Sequence, residues 1–140
     1  MVYNQHLTML GIHGEAVIHH ASITFINTWK LEIQHLTFTD STLYIKDVKL
    51  AQFTDCEFTN AVCPLTMYKS EVTLSGNSKF FNNYNSVFIS YKSNIVLTGT
   101  VSFVNNTGIR GGAMALYSST IYLDNGLNIS FINNSAQNLI

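Results

Sequence analysis

One stretch decides the fold, and it reads Val101-Ser102-Phe103-Val104-Asn105-Asn106-Thr107-Gly108-Ile109-Arg110-Gly111-Gly112-Ala113-Met114. Its order predicts a short alternating strand, an asparagine turn, a glycine turn and the start of a new strand. The central Phe-x-Asn-Asn pattern recurs at Phe80-Phe81-Asn82-Asn83 and at Phe131-Ile132-Asn133-Asn134. A motif that returns at a nearly fixed spacing indicates a repeat architecture.

The size of the repeat follows from five phenylalanines that each end a unit. They are separated by 20, 22, 23 and 28 residues, and they are Phe38, Phe58, Phe80, Phe103 and Phe131. A period in this range is typical of solenoids, and it suits a parallel β-helix coil of three short strands and three turns. Leucine-rich repeats share the period, but their L-x-x-L-x-L frame does not occur in this sequence.

Three short segments with apolar residues at alternate positions can be read in each unit, which places those residues on one face of a strand. The first segments are residues 43–46, 65–68, 87–90 and 113–117; the second are 31–33, 48–50, 72–74, 95–97 and 121–123; the third are 36–38, 56–58, 78–80, 101–103 and 129–131. Residues 23–25 are assigned to an earlier first segment. The sequence therefore predicts an all-β fold, a single-stranded right-handed parallel β-helix of about five to six coils.

The predicted β-helix occupies residues 1–140 as one domain. Residues 1–22 are less regular and are interpreted as an incomplete first coil, whereas residues 23–140 form the regular coils. Solenoids need capping repeats for solubility, and the last coil shows no amphipathic or charged cap. The sequence is therefore expected to be a piece of a longer array.

Stacking the coils in register predicts columns of equivalent residues. The five phenylalanines form one internal column, and two further internal columns contain Leu36, Cys56, Ser78, Val101 and Ile129, and Ile33, Leu50, Leu74, Leu97 and Leu123. Two residues after each phenylalanine comes a column of turn residues that tolerate left-handed backbone geometry: Asp40, Asn60, Asn82, Asn105 and Asn133. We expect the amides of this turn column to bond between coils.

Composition limits the possible partners. Charged residues make up 11% of the chain and the net charge is −1, so nothing directs it toward nucleic acid. The sequence predicts no signal peptide and no transmembrane helix within these residues. Cys56 and Cys63 do not match a metal-binding spacing, which leaves two small buried or half-buried side chains, or a disulfide across the turn between them.

The glycine turn extends the asparagine motif into a longer pattern, in which Phe103 and Asn106 are followed by Gly111-Gly112-Ala113-Met114. This pattern resembles the repeat of the chlamydial polymorphic outer-membrane proteins, and it is similar to large right-handed β-helix surface proteins of other lineages. Half motifs occur at Phe80 with Asn83, without a later glycine pair, and at Phe131 with Asn134. The resemblance covers residues 80–140 and implies cell-surface or secreted display, adhesion and no enzymatic activity.

A polysaccharide lyase or hydrolase, or a degenerate relative of one, is the alternative function, because pectin-lyase-like enzymes are also β-helices. Such enzymes use carboxylates that project from strands, whereas the outward first-segment positions here are Tyr44, Thr66, Phe88 and Ala115. The acidic residues are scattered over different turns, and Arg110 is interpreted as a loop charge. The histidines form no recognisable ligand set, so the sequence predicts no metal and no cofactor.

A candidate binding strip comes from triplets at equivalent turns, Tyr68-Lys69-Ser70, Tyr91-Lys92-Ser93 and Tyr117-Ser118-Ser119. They predict a tyrosine column flanked by Lys69 and Lys92, facing glycans or proteins of a host or neighbouring cell. Tyrosine offers such partners a flat ring and a hydroxyl group. A purely structural aromatic ladder is the alternative interpretation.

Three Asn-x-Ser/Thr sequences could accept N-glycans, beginning at Asn105, Asn128 and Asn133. Asn105 and Asn133 belong to the column of turn residues that is expected to bond between coils. Asn128 is therefore the candidate glycosylation site.

Overall fold

The computed structural model describes residues 5–12, 16–109 and 111–137, which form short strands and no helix. In chain order the strands are β1 (His6–Leu10), β2 (Ala16–His19), β3 (Ser22–Ile26), β4 (Lys30–Gln34), β5 (Leu36–Thr39), β6 (Thr42–Lys46), β7 (Leu50–Thr54), β8 (Glu57–Thr59), β9 (Leu65–Tyr68), β10 (Glu71–Ser75), β11 (Asn77–Phe81), β12 (Phe88–Tyr91), β13 (Asn94–Leu97), β14 (Thr100–Val104), β15 (Thr107–Gly108), β16 (Met114–Tyr117), β17 (Thr120–Leu123), β18 (Asn128–Ile132) and β19 (Ser135–Ala136).

Three long parallel sheets are built from these strands. Sheet A contains β1, β4, β7, β10, β13 and β17; sheet B contains β2, β5, β8, β11, β14 and β18; and sheet C contains β3, β6, β9, β12 and β16. Each strand pairs in parallel with the equivalent strand of the next coil, and β15 pairs with β19 in a small fourth sheet. The predicted parallel β-helix is confirmed, and β1 and β2 show that part of residues 1–22 already belongs to a coil.

Single residues in the left-handed backbone region make the corners between sheets. After sheet B these residues are His20, Asp40, Asn60, Asn82, Asn105 and Asn133, with φ between 49° and 56°. After sheet C they are Asn27, Asp47, Lys69, Lys92 and Ser118. Asparagine and aspartate visit this region at low cost, so the Asx column turns the chain at the same place in successive coils.

The core is a column of phenylalanine rings that runs along the helix axis. Neighbouring ring centroids are 5.2, 4.7, 5.0 and 5.2 Å apart and nearly parallel, in the order Phe38, Phe58, Phe80, Phe103 and Phe131. The first four rings are fully buried, whereas Phe131 is 52% exposed in the last coil. The predicted aromatic ladder is therefore present, and each ring packs on the next.

An asparagine ladder lies beside the aromatic column, but one residue later than the sequence predicts. The side-chain nitrogen of Asn83 donates to Oδ1 of Asn106 at 3.1 Å, and that of Asn106 donates to Oδ1 of Asn134 at 2.9 Å. The same amide nitrogens donate to phenylalanine carbonyl oxygens of the preceding coils. The expectation that the side-chain amides of Asn82, Asn105 and Asn133 form this ladder is wrong, because the residue after the left-handed corner is the one that turns inward.

Two predicted strand positions are also wrong. Val48 occupies a corner position, since its backbone nitrogen donates to Ser70 Oγ at 3.1 Å, and the strand begins only at Leu50. Phe53 therefore takes the core place that the sequence assigned to Leu50. Phe88 faces inward rather than outward, since it is buried and pairs with Leu65. The turn before it is longer, and this shifts the alternation of inward and outward side chains by one residue.

The glycine pair of the repeat motif has a packing role. A β-carbon on Gly112 would lie 2.5 Å from the carbonyl oxygen and 2.7 Å from the nitrogen of Ser135 in the next coil. Only glycine fits there without a shift of backbone. Every residue type that the motif repeats, phenylalanine, asparagine and glycine, thus contacts the neighbouring coil.

The two cysteines are both free, so the disulfide alternative is wrong. Cys56 is buried in the core column next to the phenylalanines, and its Sγ lies 3.4 Å from the carbonyl oxygen of Ile33. Burial raises the pKa of Cys56 to about 11. Burial also raises the pKa of the half-buried Cys63.

These environments predict an order of thiol reactivity. The thiolate is the reactive form, so a folded sample at about pH 8 is expected to alkylate slowly, with Cys63 modified well before Cys56. Peptide mass spectrometry over a time course of iodoacetamide labelling measures both rates. Equal rates for the two thiols in the folded protein would contradict the burial of Cys56, and a urea-unfolded sample supplies the control in which the rates converge.

Candidate functional site

The candidate site is the outer face of sheet C. Side chains on this face form two columns, because the five strands pair without offset. One column contains Ile26, Lys46, Tyr68, Tyr91 and Tyr117, and the other contains Thr24, Tyr44, Thr66, Ile89 and Ala115. We name Lys46, Tyr68, Lys69, Tyr91, Lys92 and Tyr117 together the tyrosine–lysine strip.

The Tyr-Lys-Ser triplets fold locally into one kind of corner. Tyr91 is the last outward residue of its strand, Lys92 takes the left-handed conformation, and Ser93 turns inward. Ser93 Oγ donates to the carbonyl oxygen of Tyr91 at 2.8 Å and accepts the backbone N–H of Ser70 in the preceding coil at 3.1 Å. The buried serines therefore hold the tyrosines that precede them at equivalent positions in successive coils.

Two tyrosine rings of the strip stack on each other. The centroids of Tyr91 and Tyr117 are 4.8 Å apart and the rings are inclined by only 11°. Stacking covers the two ring faces that lie between them, so a ligand reaches the hydroxyl groups, the ring edges and the outer faces of the pair. Each ring of this pair therefore has one flat face, rather than two, that the other ring does not cover.

Tyr68 has a different environment within the strip. The ammonium nitrogen of Lys69 lies 5.3 Å from the centroid of its ring, and that of Lys46 lies 6.0 Å from it. Both distances are within the range of cation–π attraction. The two ammonium groups therefore lie beside the ring of Tyr68, while Lys69 stays exposed to solvent.

A groove runs beside the stacked tyrosines and has a volume of about 330 Å³. Tyr91 and Tyr117 form one wall, and Ile89 and Ala115 form the floor. The opposite wall comes from the longer turns after sheet B, through Asn85, Ser86 and Ile109. This volume is at the small end of ligand sites. The floor is apolar and the walls carry polar groups, which suits an extended ligand with both polar and apolar surfaces.

Three of the six lysines in the described part of the chain belong to the strip: Lys46, Lys69 and Lys92. Lys30 and Lys79 lie on other sheets, where their nitrogens are 2.8 Å from Glu32 and 3.2 Å from Glu57. Four lysines belong to the corner between sheets C and A: Lys46, Lys49, Lys69 and Lys92. The carboxylates of the same corner are Asp47 and Glu71, which leaves an excess of positive charge.

Three of the four described histidines lie in pairs with acidic residues, at nitrogen-to-oxygen distances of 2.6, 3.7 and 3.4 Å: His6 with Glu32, His20 with Asp40, and His35 with Asp55. Hydrogen bonds from Lys30 and then from His6 lower the pKa of Glu32. Within residues 5–12, 16–109 and 111–137, no three His, Cys, Asp or Glu side chains are grouped closely enough to hold a metal ion. His13 and Arg110, the latter interpreted above as a loop charge, lie outside the described residues.

The asparagines of the Asn-x-Ser/Thr sequences are all exposed. Asn128 begins β18, and Asn105 and Asn133 are corner residues. The placement of Asn105 and Asn133 in the ladder between coils is therefore wrong, because the ladder amides belong to the buried Asn106 and the half-buried Asn134. Asn128 stays a predicted glycosylation site.

Comparisons with known proteins give no relative for this chain. No family model, no curated protein and no solved structure matches it. In the described part of the chain, no helix has the length and apolar character needed to cross a membrane.

Sequence reasoning identified Tyr68, Tyr91, Tyr117, Lys69 and Lys92 but missed Lys46 and the groove beside the tyrosines. Ile89 was assigned inward because the alternation was counted from Val87. Asn85 and Ile109 lie in turns of unequal length, so nothing in their spacing marks them as neighbours of Tyr91 and Tyr117. The extra residues between Asn83 and Phe88 were the available sequence signal of a longer turn after sheet B, and this turn forms part of the groove wall.

Proposed function

We propose that this chain is a non-enzymatic β-helix module of a secreted or cell-surface protein, and that it binds extended ligands along the tyrosine–lysine strip. Adhesion to a glycan or a protein of another cell is the function that such a strip serves. The resemblance of Phe103 to Met114 to surface-protein repeats supports this localisation. Display on a rigid solenoid also keeps the strip straight along the coil axis.

The stacking of Tyr91 on Tyr117 is the observation that carries the proposal. The repeated phenylalanines and the second asparagine of each Asn-Asn pair contact the neighbouring coils, whereas the tyrosines repeat on the outer face, and Tyr91 is 39% exposed. Tyrosine is enriched in binding surfaces because it buries a large rigid area and adds a hydroxyl group. Several shallow contacts along a repeat add up to useful affinity.

A polysaccharide-active enzyme is the second candidate, and one observation favours it. A groove of about 300 Å³ on the outer face of sheet B contains Glu57 and Lys79, 3.2 Å apart, beside Phe81. A carboxylate with a basic neighbour resembles part of a lyase or hydrolase site. We rank it second because this groove contributes a single carboxylate, and most glycoside hydrolases use two.

The test is binding of labelled protein to a glycan array and to a panel of cell-surface proteins. The variant Tyr68→Ser/Tyr91→Ser/Tyr117→Ser is expected to lose at least about tenfold in affinity for whatever the wild type binds. Tyr84→Ser/Tyr122→Ser removes two tyrosines that are 53% and 55% exposed away from the strip, and it is expected to bind like the wild type.

A second variant keeps the test decisive if the triple variant does not fold. Tyr91→Phe/Tyr117→Phe retains the stacked rings and removes only the hydroxyl groups, so it should fold and bind several-fold more weakly. Unchanged binding by both folded strip variants would overturn the proposal. Release of unsaturated or reducing sugars from a polysaccharide, abolished by Glu57→Gln, would favour the enzyme instead.

A further inference from the structure

We propose that the ligand of the tyrosine–lysine strip is an anionic polysaccharide that lies along the coil axis with its acidic groups toward the lysines. This inference rests on the proposed function and specifies the class of ligand. It depends on the electrostatics of the strip, on the parts of the tyrosine rings that are exposed, and on the spacing between coils.

The charge of the strip selects for a negative partner. Lys69 and Lys92 occupy equivalent corner positions in adjacent coils, so their charges recur with the coil repeat. Lys46 lies one coil earlier, in line with Tyr68. The chain as a whole has a net charge of −1, so this local excess of ammonium groups is a property of one face, and Asp47 and Glu71 reduce it only in part.

The orientation of the tyrosine rings favours the same partner. An aromatic ring is electron-rich on its faces and carries partial positive charge at its edge. Because Tyr91 and Tyr117 stack with centroids 4.8 Å apart, the two electron-rich surfaces between them are covered, which increases the share of the ring edges in what remains accessible. The phenolic groups add O–H donors at the same positions. Ring edges, O–H donors and ammonium groups all attract acidic oxygen atoms.

The spacing between coils favours a polysaccharide over an acidic peptide. Successive coils of a parallel sheet are about 4.8 Å apart, which is close to the length of one sugar unit in an extended polysaccharide. Acidic side chains on one face of an extended peptide recur only every about 6.6 Å and fall out of step with the coils. The floor of Ile89 and Ala115 can also contact the C–H face of a sugar ring.

Polygalacturonate and its fully methyl-esterified form test the proposal, because they share one backbone and differ in charge. The wild type is expected to bind polygalacturonate at least about tenfold more tightly than the ester, and to lose this preference between about 0.05 and 0.5 M sodium chloride. Heparin, a sulfated polysaccharide, is expected to bind as well. Polyglutamate, an acidic peptide, is expected to bind at least about tenfold more weakly than polygalacturonate.

Matched charge variants assign the binding to the strip. Lys69→Gln/Lys92→Gln and Lys30→Gln/Lys79→Gln each remove two positive charges, but only the first pair belongs to the strip. We expect the first to weaken polygalacturonate binding about tenfold and the second to change it less than about twofold. Equal effects of the two variants, equal binding of acid and ester, or tighter binding of polyglutamate would each overturn the inference.

Failure of this inference is distinguishable from failure of the proposed function. If a neutral glycan or a protein binds and the tyrosine triple variant abolishes that binding, the strip is a binding site but its ligand is not an anionic polysaccharide. If the tyrosine variants leave all binding unchanged, the proposed function itself is wrong.

Discussion

Replacing Phe103 by alanine is expected to lower the free energy of unfolding by roughly 3–5 kcal/mol, the usual cost of truncating a fully buried aromatic side chain. The ring of Phe103 is 0% exposed and lies between those of Phe80 at 5.0 Å and Phe131 at 5.2 Å. Its removal opens a cavity in the middle of the column, and the stacked neighbours on both sides lose a contact. Urea unfolding followed by circular dichroism and by fluorescence measures the change.

Phe131 provides the control, since it occupies the same column but is 52% exposed. Phe131→Ala removes a half-exposed ring that stacks on Phe103, and it is expected to cost less than about 2 kcal/mol. A loss below about 1 kcal/mol at Phe103, or equal losses at both positions, would show that the phenylalanines do not form an internal column.

Replacing Asn106 by alanine is expected to cost about as much, roughly 3–5 kcal/mol, for a polar reason. Oδ1 of Asn106 accepts from the backbone and side-chain nitrogens of Asn83 at 3.0 and 3.1 Å, and its own amide donates to the carbonyl oxygen of Phe80 at 3.0 Å. Alanine leaves these buried groups without a partner, at about 1–3 kcal/mol for each. The same urea unfolding experiment measures the loss.

The adjacent Asn105 gives a matched control, because it has the same side chain and is exposed. Asn105→Gly keeps the left-handed corner, at φ 54°, and is expected to change the free energy of unfolding by less than about 1 kcal/mol. A larger loss at position 105 than at position 106 would mean that the ladder contains the first asparagine of each pair.

Much of the fold was predictable because its columns repeat chemically distinctive residues. Phe38, Phe58, Phe80 and Phe103 share one place in the coil, and an aromatic side chain at a fixed offset leaves little freedom in the choice of register. The Asx residues were also found at the correct corner, since few other residues adopt positive φ at low cost. The period and these two columns were sufficient to predict a parallel β-helix.

The incorrect predictions concern positions where neighbouring residues have side chains of similar chemistry. Val48, Leu50 and Phe53 are all apolar, so alternation alone does not show which of them begins the strand, and only the bond to Ser70 assigns Val48 to the corner. The two asparagines of each Asn-Asn pair have identical side chains. Their roles differ because one backbone is left-handed and the next residue points inward, which depends on three-dimensional geometry.

The candidate site was predictable to the same extent. The Tyr-Lys-Ser triplets share a corner, so their column followed from the register, and the structure pairs Tyr68, Tyr91 and Tyr117 directly. The covering of ring faces and the cation–π contacts of Lys46 with Tyr68 depend on side-chain conformation. Sequence patterns carry no information about those conformations.

Disulfide trapping between Tyr91→Cys and Tyr117→Cys tests the coil register and the strip together. In a Cys56→Ala/Cys63→Ser background, the two positions pair directly, and a separation of about 4.8 Å between adjacent coils lies within the range that a disulfide can bridge. Ile89→Cys with Tyr117→Cys is the offset control on the same face, at about 8 Å. We expect mild oxidation to link the first pair nearly completely and the offset pair hardly at all, as measured by peptide mass spectrometry. Preferential linkage of the offset pair, or no linkage of either, would contradict a parallel β-helix in which the tyrosines lie side by side.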